Sequence, residues 1–370
     1  MAVQTGKTLQ SHFINTYNNL SVLGKVPSEE LGVVLPHEHI LVDYTTGLDT
    51  TTSFLNGRDV AGLPVTMENL GFTRRFMYSV RENVVLDEIE KAETEVGLYK
   101  TSGGGCICEM SVVGMRRKEH SFDDLARISK ATGVHIVSTT GFYSESFLSA
   151  EIKTMSVQSM AELMKTEVAI GSGPMGLKCG VMYIACSDPL KETEKKALEA
   201  AAITHKETGV AIQVAPGRTT DLPFRILDRL YSYGVHGQAI SMSHVDRAFS
   251  DCETNLKLMS DLCHRGCYIN HSLFGKECSH YPCNEDFDFP SDAQRIARIK
   301  ALVDRGCLDH LLVSHDIVCR NEWACYGGYG YGHMLDHIAP KFLNRGFQRA
   351  TVDRIMRENP QRWLTCSEFR

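Results

Sequence analysis

Residues 32–41 read GVVLPHEHIL and residues 311–316 read LLVSHD. Each is a short run of β-forming apolar residues that ends in imidazole or carboxylate side chains. Six more apolar runs stand between them: Gly105–Val112 (GCICEMSV), Val134–Thr140 (VHIVSTT), Gly176–Ala185 (GLKCGVMYIA), Val210–Ala215 (VAIQVA), Ala239–His244 (AISMSH) and Cys267–Asn270 (CYIN). Continuous Val, Ile, Cys and Met, rather than strict alternation, marks strands covered on both faces. Stretches of helical period separate the runs. Ser187-Asp188-Pro189 offers cap-type residues and a first-turn proline, and the segment it opens stops at Gly209. Ser291-Asp292 and Gly306 bracket another such segment. Strand-like runs that mostly precede a helical segment predict an α/β protein, a (β/α)8 TIM barrel, with a doubly wound open sheet as the competitor. The insert Val42–Gly104 must hold extra loop and helix.

Composition limits the function classes. The chain has 370 residues, 43% hydrophobic and 23% charged, enough for a large core without staples. Lys plus Arg total 39 against 45 Asp plus Glu, a net charge of −6, so no basic surface argues for nucleic acid or anionic lipid. No apolar run is long enough to span a bilayer, and MAVQTGKTLQSHFINTYNNL lacks the apolar core of a signal peptide. The 13 cysteines are odd in number, scattered and free of C-x-x-C pairs, which reads as reduced core thiols. The expectation is a cytoplasmic protein acting on a small molecule, with no nucleic-acid or membrane partner; a homodimer is compatible with it. No linker divides the chain, so residues 1–23 read as an N-terminal extension and 24–370 as one domain.

His37-Glu38-His39 sits near the end of the first run, and on a strand residues i and i+2 share a face, so both imidazoles can reach one metal. With 15 histidines in the chain, about 0.6 such pairs arise by chance, and surface histidines are the bland alternative. Position adds weight, because barrel enzymes place their chemistry at strand C-termini. Reading the run ends also gives His244 from the sixth and Asp316 from the eighth. Three imidazoles and a carboxylate are a Zn²⁺- or Mn²⁺-type donor set. Gly103-Gly104-Gly105 and the glycines of Gly327–Gly332 match no phosphate-binding loop, and no G-x-S-x-G elbow is present. Tyr326, Tyr329 and Tyr331 read either as lining a substrate mouth or as a packed loop.

With LPHEH at 35–39, TGVHIVSTTGFY at 132–143, LKCG at 177–180, APGR at 215–218, MSHVDR at 242–247 and SHDI at 314–317, followed by YGGYGYGHML and ENPQRWLT, the chain resembles the phosphotriesterase-related family of the amidohydrolase superfamily from about Gly24 to Leu364. The resemblance implies a metal-dependent hydrolase on a distorted (β/α)8 barrel, with a pair of divalent metals, usually zinc, activating water. It assigns His37, His39 and Asp316 to the more buried metal, Asp316 also taking the water's proton, and His244 to the second. Two positions depart from the family pattern. Ala215 stands where the family has a histidine, and no Asp or Glu lies between Gly176 and Ser187 to bridge the metals. Tyr183 or Ile184 falls at the bridging position, depending on the anchor, and Lys178 aligns upstream of it.

One metal per chain, zinc-like, is therefore expected, with His244 left to orient or deprotonate water. The family points to amides such as N-acyl amino acids or N-acyltaurines, or to lactones and phosphoesters. Arg218 is a candidate for a substrate's anionic group, or for a salt bridge at the barrel rim. Glu109 and Tyr143 sit near strand ends as possible supports or substrate contacts. The competing expectation is a catalytically impaired barrel that binds a small ligand or partner. Whether Cys179 or Cys186 supplies an unusual ligand is open.

Overall fold

The computed structural model describes residues 18–50, 54–55, 58–116, 122–249, 252–278, 281 and 287–365. Its centre is a sheet of eight parallel strands: β1 Val33–Glu38, β2 Gly104–Glu109, β3 His135–Phe142, β4 Val181–Ala185, β5 Ala211–Ala215, β6 Ile240–Met242, β7 Tyr268–His271 and β8 Leu311–Val313. Each strand pairs with the next in chain order. An open doubly wound sheet would reverse that order at a switch point, so the competitor falls. Just beyond β8 the ring is joined to β1: Asp316 N–H donates to His37 O at 3.1 Å, and His39 N–H donates to Ile317 O at 3.0 Å. The (β/α)8 barrel read from the sequence is what the chain forms.

The helices Ile89–Thr101, Phe122–Thr132, Val157–Ala169, Glu192–Thr208, Leu222–Ser232, Glu253–His264 and Asp292–Asp304 follow the first seven strands in turn. Three of their ends were legible. The fourth stops at Gly209 (φ 72°), and the seventh is capped by Ser291 and followed by Gly306 (φ 80°), both glycines in the left-handed region. The start of the fourth differs from expectation: it begins at Glu192, not at Ser187-Asp188-Pro189. The Glu194 carboxylate explains this, accepting the backbone N–H groups of both Ser187 (2.9 Å) and Lys191 (3.0 Å) and so fixing the intervening residues as a loop. No described helix is long and apolar enough to cross a membrane.

Residues Asn18–Ser21 and Gly24–Pro27 form an antiparallel hairpin, and the turn between them reaches the start of β3 through Val22 N–H to Ile136 O at 2.8 Å. The hairpin therefore covers the end of the barrel away from the strand C-termini.

Side chains sort by the two-residue period of the strands. Met182 and Ile184 of β4, and Ile212 and Val214 of β5, join the layer between strands and helices. Val181, Tyr183 and Ala185, with Ala211 and Ala215, belong to the separate cluster inside the barrel, together with Val34, Cys106, Cys108, Val137 and Leu312. Tyr183, not Ile184, is thus the inward residue. Gly141 allows its strand to lie close, because a Cβ there would stand 2.1 Å from Tyr183 O.

Candidate metal centre

His37, His39, His244 and Asp316 all gather at the C-terminal mouth of the barrel. His37 lies on β1 and His39 just past it, both buried. His244 follows β6 and Asp316 follows β8. Among the described residues these two are the only non-glycines with left-handed backbone, at φ 57° and 55°. Such strain persists where the surroundings enforce it. For Asp316 the enforcing group is Glu38. Its carboxylate accepts Ser314 O–H (2.7 Å), His315 N–H (2.8 Å) and Ile317 N–H (2.9 Å), gripping the backbone on both sides of Asp316. Burial pushes the Glu38 carboxyl up, but the His315 imidazole and these hydrogen bonds bring it below its ordinary value.

The hydrogen-bond partners fix which ring nitrogen of each histidine faces inward. Gln213, on β5, offers its amide oxygen to His37 Nδ1 while its amide nitrogen donates to Pro36 O at 3.2 Å. An amide oxygen only accepts, so His37 carries its proton on Nδ1 and turns a lone pair inward at Nε2. His37 Nε2 is buried and has no hydrogen-bond partner. His39 Nδ1 meets Ser111 Oγ at 2.9 Å, and that hydroxyl donates its proton to Glu109 Oε1. Ser111 can then only accept from His39, which leaves a second Nε2 lone pair facing inward. His244 Nδ1 is held by Ser272 Oγ at 2.8 Å, and burial pushes this imidazole well below its ordinary value, so it is neutral.

Both Nε2 atoms, of His37 and of His39, lie 3.4 Å from Asp316 Oδ1. Lone pairs and a carboxylate oxygen converging in this way repel unless a cation stands among them, and the donor set fits a divalent metal. The tightest triplet is His37, His244 and Asp316, with ligand atoms within 4.8 Å of one another; His39 joins through Asp316. The sequence grouped His39 rather than His244 with that pair. On the far side of Asp316, Lys276 Nζ lies 3.9 Å from Oδ2 and 2.6 Å from Glu322 Oε1. Burial pushes the Asp316 carboxyl up, but the Lys276 ammonium beside it holds it well below the usual carboxylate range.

A narrow cavity of about 50 Å³ opens onto this cluster, lined by Tyr44, Tyr78, Tyr143, Tyr183, Arg247 and Tyr281 besides His39, His244 and Asp316. Tyr143 lies in the cavity as anticipated, its phenol pushed up to about 12 by burial. Glu109 supports His39 through Ser111. Arg218 does not line the cavity. It is exposed and packs on Tyr281 from outside, donating from Nε to the phenol oxygen at 2.8 Å. Tyr183 fills the inward position of β4 beside His37, and Ala215 ends β5. Lys178 is exposed ahead of β4, and neither Cys179 nor Cys186 joins the metal-ligand group among the described residues. The Tyr-rich run is a packed loop: Tyr331 is buried and donates to His39 O at 2.6 Å, Tyr329 donates to Glu322 at 3.0 Å, and Tyr326 donates to Glu88 at 2.6 Å. Gln213, Lys276 and Arg247 are among the site residues that sequence reasoning missed, as are Ser111 and Ser272.

A parallel barrel that gathers imidazoles and a carboxylate at its strand C-termini defines the class of metal-dependent barrel hydrolases. Within that class the chain belongs to the phosphotriesterase family, whose model matches residues 18–364. It is 37% identical over 347 residues to the N-acetyltaurine hydrolase of Xenopus tropicalis and 35% to that of Homo sapiens; each match covers 93% of this chain and 97% of the relative. Among solved structures it is similar to a resiniferatoxin-binding protein from Rhodobacter sphaeroides (TM-score 0.87, 25% identity, 94% of both chains). It is also similar to the phosphotriesterase homology protein of Escherichia coli, crystallised with phosphate in its active site (TM-score 0.72, 26% identity, 90% of this chain and 99% of that one).

Proposed function

We propose that this chain hydrolyses the amide bond of a small N-acyl compound, an N-acyl amino acid or N-acyltaurine, with one zinc-type ion held by His37, His39, His244 and Asp316. The observation that carries the reading is the pair of inward-facing Nε2 lone pairs 3.4 Å from the Asp316 carboxylate. A divalent ion among these atoms would polarise the scissile carbonyl and bring the pKa of a water near 7.

The chain's own residues do the rest. Gln213, and Ser111 with Glu109, hold two imidazoles in the tautomer that presents Nε2. Asp316 accepts the attacking water's proton, with Lys276 next to its Oδ2 steadying the charge. His244, neutral and in the same triplet, adds a lone pair to the ligand set, and the proton that Asp316 took passes on to the departing nitrogen. Tyr143 stays protonated at neutral pH and offers its O–H to a substrate oxygen. The narrow tyrosine-lined cavity suits a short acyl group, and the N-acetyltaurine hydrolases among the relatives favour an amide over a lactone or phosphoester.

A second reading, a barrel that binds a small ligand without cleaving it, is favoured by the inward positions of Tyr183 and Ala215, which offer no ligand for a second metal. The two readings separate on turnover. Metal-loaded protein is assayed on N-acetyltaurine, N-acetyl amino acids, a lactone and a phosphotriester, alongside Asp316→Asn. Amide cleavage that falls by about 10²–10⁴ in the variant supports the proposal. Asp316→Asn turning over at the wild-type rate, or no cleavage by the wild type, contradicts it.

A further inference from the structure

Arg247 lies three residues beyond His244 in the short helix Val245–Ala248 and lines the same cavity as His244 and Asp316. Its Nη1 donates to the Tyr281 hydroxyl at 3.3 Å, and its Nε is buried without any hydrogen-bond partner. Among the described residues no carboxylate stands within ion-pair distance of it. Asp316, the acid that also lines this cavity, is engaged by His37, His39 and Lys276. Tyr281 accepts from Arg218 on its outer side as well, so its phenol oxygen is held between two guanidinium groups. A guanidinium is always charged and offers a planar fork of donors suited to oxyanions. Half-buried and without a counter-ion at ion-pair distance, it carries a desolvation cost that an arriving anion relieves.

We propose that Arg247, with Tyr281 beside it, anchors an anionic group of the substrate, a sulfonate or carboxylate on the amine side of the scissile amide. The anchor rests on the amide-hydrolase reading for its position: Arg247, His244 and Asp316 line one narrow cavity, so the anion and the scissile carbonyl belong to one small molecule and stand a few bonds apart. The anion-binding role considered for Arg218 falls to Arg247, and Arg218 acts only through Tyr281.

Calorimetry on metal-loaded protein compares three probes: 2-acetamidoethanesulfonate, N-acetylglycine and the neutral N-ethylacetamide. The wild type binds at least one anion more tightly than the neutral amide, and the better anion identifies the sulfonate or carboxylate source. In Arg247→Gln anion affinity falls by about 10- to 100-fold and the neutral amide is unaffected. Arg247→Lys, which keeps the charge but not the fork, falls between them and serves if the Gln variant does not fold. In turnover the same loss appears in KM, with kcat largely kept. Anion affinity retained in both variants, equal loss for the neutral probe, or no preference for an anion in the wild type overturns the anchor. Charge-selective binding without any cleavage leaves the anchor standing and refutes the hydrolase reading.

Discussion

The amide oxygen of Gln213 accepts the Nδ1 proton of His37 inside the barrel, and the strand register sets Gln213 directly beside Tyr183. One buried amide thus decides which nitrogen of a central histidine faces the site, without itself touching a substrate.

Replacing that amide with an isosteric apolar side chain removes the constraint. In Gln213→Leu the His37 Nδ1–H loses its acceptor, and metal affinity falls by about 10- to 100-fold while the barrel still folds. Competition against a chromophoric chelator, read beside a thermal melt, measures both. Unchanged affinity would show that Gln213 does not set the tautomer.

Lys276 and Glu322 are both about 1% exposed and pair at 2.6 Å. Breaking a buried pair on one side leaves an uncompensated charge, so Lys276→Met costs about 3–5 kcal/mol of stability. Adding Glu322→Gln to that variant recovers part of the loss, because the orphaned carboxylate is gone. Denaturant melts of the single and double variants decide it; a double variant less stable than the single one contradicts the argument.

Glu38 makes stability depend on acid. Its folded value lies below the ordinary 4.5, so the native state releases this proton more readily than the unfolded chain. Its stabilising contribution is fully present above pH 4.5 and is lost as pH falls through the lower folded value. Urea melts from neutral pH down to about 3 should therefore show a shallower acid decline in Glu38→Gln, from a lower neutral plateau. Parallel curves for the two proteins would mean that the carboxylate does not clamp the Asp316 turn through its charge.

Tyr183 and Ala215 sit on neighbouring strands and both face inward, so a second metal can be built in. Tyr183→Glu with Ala215→His, next to His244, should raise the metal content from about one to about two per chain, measured by elemental analysis. A content that stays at one shows that these positions do not by themselves limit the count.

The four central residues were legible because each ends an apolar run, and a barrel turns run ends into one surface. The strand order followed from the same runs. What the sequence hid depends on contacts distant in the chain. Gln213 stands out in VAIQVA as a polar residue in a run covered on both faces, a signal that it must find a partner, but not that the partner is His37. Lys276, in FGKE, has the look of a surface lysine until β7 and the loop after β8 bury it between two acids. Arg247 was within reach of a local reading, one turn beyond His244, but Arg218 drew attention by its motif. The start of the fourth helix was misplaced because Glu194, inside the helix, reaches back to Ser187.

The most direct test is the metal content of protein purified without chelator, wild type against a variant carrying both His37→Ala and His39→Ala. About one zinc or manganese per wild-type chain, lost in the variant, is the result predicted here. No bound metal in the wild type, even after reconstitution, would contradict it and turn the barrel into a binding protein.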